Sequence, residues 1–213
     1  MVGFGNDDTS AHFIRSLEPN VFVKFHSINT PDFVMSWIIE VLSSDAIPPV
    51  IVLEFAIYES KIHSSSMKAF DFTAKTLAAM GITLIATAGD VGVSVGENLA
   101  CTYSPIWPAS SPYVLSVGVT RLVDGIETSC SRGAGDAITT GGGFSTLYEQ
   151  PSWQAAVVNN YLANLTSDKY RFSPVPGFNS RGRAYPDISL VGSHIQIIVD
   201  GKPQLQSSSV KHL

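Results

Sequence analysis

The run Ile82-Thr-Leu-Ile-Ala-Thr87 is β-branched and apolar, and it stops abruptly on Gly89-Asp90-Val91-Gly92. A short apolar run bounded by glycines reads as a buried strand, the kind found in parallel sheets. The pattern also leaves the Asp90 carboxyl group at the strand's carboxyl end. In open α/β sheets that edge is where ligands bind. Alone, Gly-Asp-x-Gly is equally a tight turn in which the Asp carboxylate bonds its own backbone.

The segments on either side support an α/β class. Val21–Phe25 reads as a short strand, and Thr30 as the cap of a helix with Pro31 at its first position. Phe33, Val34, Trp37, Ile38, Val41 and Leu42 recur at three and four residues and form one apolar helix face. Pro48-Pro49 ends that connection, and Val50–Phe55 is a second buried strand carrying one charge, Glu54. Ser64–Met80 reads as a helix with Met67, Phe70, Ala74 and Leu77 inward and Gly81 as its stop. Val114–Val119 is a further strand, Ser152–Leu162 an amphipathic helix behind Pro151, and His194–Val199 a strand before the turn Asp200–Pro203. Thr139–Ser145 and Ser173–Arg183 read as loops. Strands alternating with helices imply a mainly parallel sheet with helices on both faces.

Composition removes several functions. With 213 residues the chain suits one domain or most of a larger one. A charged fraction of 15% argues against long disordered segments, and a net charge of −5 without a Lys/Arg cluster argues against nucleic acid. No apolar run reaches membrane-spanning length, because Val34–Leu53 is broken by Glu40, Asp45 and Pro48-Pro49. The first residues have neither the basic region nor the apolar core of a signal peptide. No histidine pair has metal spacing, and two cysteines make no zinc site.

Beyond Asp90 the motifs follow in order: Trp107-Pro-Ala-Ser-Ser-Pro-Tyr-Val114, Val117-Gly-Val-Thr120, Gly141-Gly-Gly-Phe-Ser145 and Gly182-Arg-Ala-Tyr-Pro-Asp187. This series resembles the sedolisin family of serine-carboxyl peptidases, fungal type. The likeness is densest over residues 81–205 and followable to about Asn6, so residues 1–213 read as one partial peptidase domain. The resemblance implies a subtilisin-like three-layer fold and a peptidase of acidic pH that releases tripeptides or cleaves internally. It also implies a serine nucleophile, a glutamate and an aspartate four residues apart on one helix, and a separate oxyanion aspartate, matched here by Asp90. Gly141, Gly142 and Gly143 are the candidate substrate-binding positions. Their bland alternative is a tight loop before the Ser152 helix.

The catalytic positions depart from the family pattern. Aligning Phe13-Ile-Arg-Ser16 with the family helix puts Asn6 at the glutamate and Ser10 at the aspartate. Asp7 and Asp8 do not recreate the pair, since Ala11 and His12 stand four residues on. The tail Gln206-Ser-Ser-Ser-Val-Lys-His-Leu213 puts Val210 at the nucleophile, and a one-residue gap would bring Ser209 there. Glu54-Phe55-Ala56 stands where relatives have Ser-Tyr-Gly, on the strand that pairs with the substrate backbone.

The resemblance therefore implies a serine-type peptidase domain, shortened at its carboxyl end and inactive as written. The alternatives are a non-catalytic peptide-binding module and a gene fragment without function. Peptide or unfolded protein is the implied substrate if the chain is active. No cofactor is expected, since the family's calcium site belongs to a later segment. The family is secreted, lysosomal or vacuolar. Cys101 and Cys130 can pair, although the Cys101 position has lost its usual local partner to Ser111. Asn164-Leu-Thr166 is a glycosylation acceptor if the chain enters the secretory route.

Overall fold

A computed structural model of the chain describes residues 2–4, 14, 18–28, 30, 32–93, 103–165, 178–199 and 202–206. At its centre are the strands β1 (Val2–Phe4), β2 (Lys24–His26), β3 (Val50–Leu53), β5 (Thr83–Thr87), β7 (Leu115–Val123) and β11 (Ile188–Val191). They form one parallel sheet in the order β11-β7-β5-β3-β1-β2, and β8 (Ile126–Ser129) folds back antiparallel on β7. The α/β class and the mainly parallel sheet are thus as the sequence implied.

Two helices connect the first strands. α1 (Phe33–Leu42) buries Val34, Trp37, Ile38 and Val41, leaving Leu42 exposed. Its cap is Asp32, whose Oδ1 accepts the Met35 N–H at 3.2 Å. Thr30 instead bonds the Ser36 hydroxyl at 2.8 Å. Asp caps as well as Thr and stands directly before the first helical residue, so it takes the role. α2 (Ser64–Ala79) buries Phe70, Thr73, Ala74 and Leu77. It ends where Gly81 turns to φ +80, with the Gly81 and Ile82 N–H groups donating back to Ala78 and Leu77 carbonyls.

Both helices pack on the face formed by Ile51, Leu53, Leu84 and Ala86. Among the described residues of 20–120, one face rather than both carries helices. The core beneath them is aromatic. Trp37 lies 5.1 Å from Phe70, Phe70 sits edge-on to Trp107 at 4.7 Å, and Phe55 extends the stack. On the opposite face Val119 meets Cys130 and Ile138.

The later third departs most from the expected pattern. The segment read as a loop before Ser145 opens a strand, β9 (Gly143–Glu149), paired antiparallel with β10 (Gly182–Tyr185). Short β4 (Ile57–Tyr58) and β6 (Ile106–Trp107) pair likewise. The Ser152 helix begins as a 3-10 turn and continues as α3 (Ala155–Leu165), which buries only Val158 among its side chains. Val157 is 74% exposed, so its apolar stripe is largely open to solvent. A final hairpin joins β12 (Ile195–Val199) to β13 (Lys202–Gln206).

Candidate functional site

β3 and β5 run parallel, so the segments following Leu53 and Thr87 emerge at one edge of the sheet. After β5 the Thr87 hydroxyl accepts the Gly89 N–H at 3.0 Å, and Gly89 takes φ +94. A Cβ there would lie 2.8 Å from the Ile106 side chain. The positive φ therefore favours glycine, while the Ile106 methyl could shift to admit a side chain. Half-buried Asp90 follows, and its carbonyl accepts the Thr139 N–H at 3.0 Å. Gly92 N–H donates to the Thr139 carbonyl at 3.0 Å, and Gly141 N–H to the Gly89 carbonyl at 2.7 Å.

This backbone ladder holds the glycine run against the Asp90 turn. At Gly141 a Cβ would stand 1.6 Å from the Ala88 carbonyl oxygen, so no side chain can replace the hydrogen. The close approach accounts for one of the three glycines flagged in sequence. All three line a cavity of about 610 Å³ together with Val93, Tyr103, Phe144, Tyr161, Phe178 and Tyr185. Phe144 and Phe178 meet edge-to-face at 4.7 Å. The Tyr103 hydroxyl donates to the Phe144 carbonyl at 2.7 Å and accepts the Phe144 N–H. Burial pushes its phenol up to about 12, so it stays a neutral donor.

Among the described residues, no charged side chain lines the cavity. Its described lining suits an apolar or aromatic group beside the half-buried Gly142 and Gly143. Asp90 does not line it; its charge is felt instead at the Cys130 thiol, which burial chiefly raises. Asp90 and the glycine run are thus joined through their backbones, while the cavity opens beside the glycines alone.

Two buried polar brackets support this edge, and neither has a periodic signature in the sequence. Glu59 is buried in the turn after β4. It accepts the Ser145 hydroxyl at 2.5 Å, the Thr146 N–H at 2.8 Å and the Thr146 hydroxyl at 2.7 Å. Its own N–H donates to the Pro105 carbonyl at 2.9 Å, so one residue ties three segments together. The second bracket lies in the Gly182–Asp187 motif. Buried Arg183 pairs with Asp187 at 2.6 Å, and Asp187 also accepts the Ser116 N–H at 2.8 Å. Gln154 bonds both backbone groups of Ala184. The ordered motif pointed to this place without indicating the role.

Other expected residues fall elsewhere. Asn6, Asp7, Asp8, Ser10 and His12 lie outside the described residues, as do Cys101 and Ser208, Ser209 and Val210. Cys130 is a buried free thiol. Ser111, which stands where a cysteine partner would, is buried and donates to Asp71 at 3.2 Å. Asn164 is exposed near the end of α3. Among the described residues there is no cluster of three His, Cys, Asp or Glu side chains suited to a metal. None of the described helices is long and apolar enough to cross a membrane.

Against known proteins, the chain is 32% identical over 169 residues to tripeptidyl-peptidase 1 of Dictyostelium discoideum, covering 79% of this chain and 26% of that protein. It is 28% identical over 170 residues to tripeptidyl-peptidase 1 of Homo sapiens, covering 79% of this chain and 29% of that protein. The chain therefore spans under a third of the length of the curated relatives it matches. No family model matches it. Solved structures with partial likeness include Sphericase, at 11% identity and a TM-score of 0.46 over 91% of this chain and 52% of that one. A lanthipeptide protease aligns at 19% identity with a TM-score of 0.45, over 63% of this chain and 39% of that one.

Proposed function

Since the chain belongs to the sedolisin family of serine-carboxyl peptidases, we propose that it is part of a serine-type peptidase domain that retains a peptide-binding cleft and lacks its proton-transfer groups. The observation that supports this most directly is the ladder joining Asp90 to Gly141 at the carboxyl edge of β5. Acyl transfer needs a nucleophile, a base to activate it and a donor for the developing oxyanion. A neutral aspartic acid supplies that donor where low pH and partial burial keep it protonated. Asp90 is our candidate for the role, and the Gly141–Gly143 run, which lines the cavity, is our candidate for contact with a bound peptide.

Proton transfer is where this sequence falls short. Asn6 and Ser10 cannot take up and hold a proton as carboxylates do, and Val210 carries no nucleophile. Losing such groups together leaves only the residual rate enhancement of binding and oxyanion contacts. A fluorogenic tripeptide-amide assay on the purified chain at pH 3 to 5 tests the reading, with no turnover expected. Clear turnover that Ser209→Ala abolishes would overturn it and select the gapped register. Should the chain turn over, Asp90→Asn ought to cost roughly a hundredfold in rate at acidic pH.

A non-catalytic peptide-binding module is the second reading, favoured by an aromatic-walled cavity lined in part by the glycine run. Peptide affinity at neutral pH that is unchanged in Asp90→Asn would separate binding from chemistry.

A further inference from the structure

Helix α3 is chemically unusual for a helix at the surface. Its residues Ala155–Leu165 include no Asp, Glu, Lys or Arg. A surface helix ordinarily turns an apolar stripe to the core and a charged face to water. Of the α3 side chains only Val158 is buried. Trp153, Val157, Tyr161 and Leu165 recur every fourth residue, so they follow one another along one side. Trp153 is 61%, Val157 74% and Tyr161 51% exposed. Contiguous exposed apolar surface of this kind marks an interaction site.

Position shows what the stripe adjoins. Val157, Val158, Tyr161 and Leu165 line the same cavity as Gly141–Gly143 and Phe144. The Tyr161 and Phe144 rings stand 6.2 Å apart, 31° from parallel. Val157 both lines the cavity and meets solvent, so the stripe runs from the cavity onto open surface without a break. At its amino end, the Arg183 guanidinium lies 5.8 Å from the centre of the Trp153 ring. That ring already serves the Arg183 bracket, which leaves Val157 and Tyr161 as the unspent part.

The chemistry of the stripe restricts its occupant. There is no charge on α3 and none among the described residues of the cavity lining. A charged side chain would lose water there without gaining a counter-ion. Apolar burial is non-directional, so it discriminates by hydrophobicity rather than by one residue type. Helices that lie on anionic membranes carry Lys or Arg on their polar face. The polar positions of α3 are Asn159, Asn160 and Asn164, which does not suit a lipid surface. Continuity with the glycine-lined cavity points instead to a polypeptide. We infer that Val157 and Tyr161 form a docking strip for an apolar stretch of an extended, unfolded polypeptide that leaves the cavity and continues along α3. The strip selects among peptides by hydrophobicity and touches no reacting atom. It rests on the reading of the cavity as a peptide cleft and adds a contact beyond it.

Fluorescence anisotropy of the full chain at pH 7 with fluorescein-labelled decapeptides tests the strip. One peptide carries Leu and Phe at alternate positions, and a second has Ser and Asn in their place. The parent is expected to bind the apolar peptide at least about tenfold more tightly than the polar one. Val157→Ser combined with Tyr161→Ser should lose about tenfold of that affinity, as suits two partly buried side chains. Ile126→Ser, at a site 67% exposed on β8, should leave the affinity unchanged. Parent-like affinity in the double variant, or an equal loss in Ile126→Ser, would overturn the strip and leave the cleft reading in place. A parent that binds neither peptide would overturn both. Sedimentation velocity adds a further arm: a dimer that dissociates in the double variant would assign the strip to a second copy of the chain and overturn the inference.

Discussion

The aromatic core under α1 and α2 and the edge around Gly141 are built on opposite plans. In the core, Trp37, Phe70 and Trp107 fill space against aliphatic side chains, and no member has to hold a charge. At the edge, backbone approaches backbone with no room for a methyl group, and buried Glu59, Asp136 and Arg183 each hold several hydrogen bonds. Apolar packing tolerates a swap of similar volume, whereas an unsatisfied buried polar group or a forced Cβ does not. The two plans therefore make different demands on sequence: volume in one case, identity in the other.

Substitutions ordered by effect test this contrast. Gly141→Ala should be the most damaging, about 4–5 kcal/mol by urea unfolding, because its Cβ meets the Ala88 carbonyl rather than a movable side chain. A loss below about 1 kcal/mol would mean that the edge relaxes as freely as a surface loop. Phe70→Ala should cost about 3–5 kcal/mol through the cavity left between Trp37 and Trp107. Phe70→Leu should recover most of it.

Two carboxylates sharpen the comparison, because their signs are opposite. Burial alone would raise Asp136, but the Ser131 N–H, Ser193, Arg121 and His194 outweigh it and hold the carboxyl below its usual range. Its contribution is thus present above an ordinary carboxylate value, about 4, and is lost as pH falls through the depressed value. Asp136→Asn should cost about 3 kcal/mol at pH 7 and flatten the acid limb of the stability curve. Asp71 on α2 is raised, chiefly by burial, against the pull of Tyr148, Ser111 and Lys75. It opposes stability once ionised, so its effect eases as pH falls through the raised value. Asp71→Asn should cost at most about 1 kcal/mol, with the opposite pH trend. The smallest effect belongs to Phe72→Ser, within about 0.5 kcal/mol, since Phe72 is 74% exposed only two residues from buried Phe70.

Legibility in the sequence divides along the same line. Faces with a period of three and four residues, such as Val34, Trp37, Ile38 and Val41, were readable because burial follows helix geometry. The apolar runs of β3 and β5 were readable for a similar reason. Ser193 and Asp136, 57 residues apart, and Glu59 and Ser145, 86 apart, share no period, so only the folded chain brings them together. β9 was hidden because its opening glycine and its Ser-Thr pair, which serve Glu59, break the strand alternation. The α3 segment was legible as an amphipathic helix, although the sequence did not show that Val157 stays 74% exposed. At the site, the glycine run and the Gly-Asp-x-Gly turn were legible as motifs, but the supporting brackets stayed invisible.

The hydrogen bonds from Thr139 and Gly141 to Asp90 and Gly89 carry a practical consequence for anyone recombining this chain with a relative. Residues 88–92 and 139–141 are separated by half a hundred positions, yet they behave as a single transplantable part. A chimera whose crossover falls between them inherits one half of a joint from each parent. Gly141 is the half that cannot be improvised, since a donor with any side chain there would push the Asp90 turn off the sheet. Crossovers placed before Ala88 or after Gly143 keep the joint whole, and shuffled libraries should recover folded members mainly from those two zones.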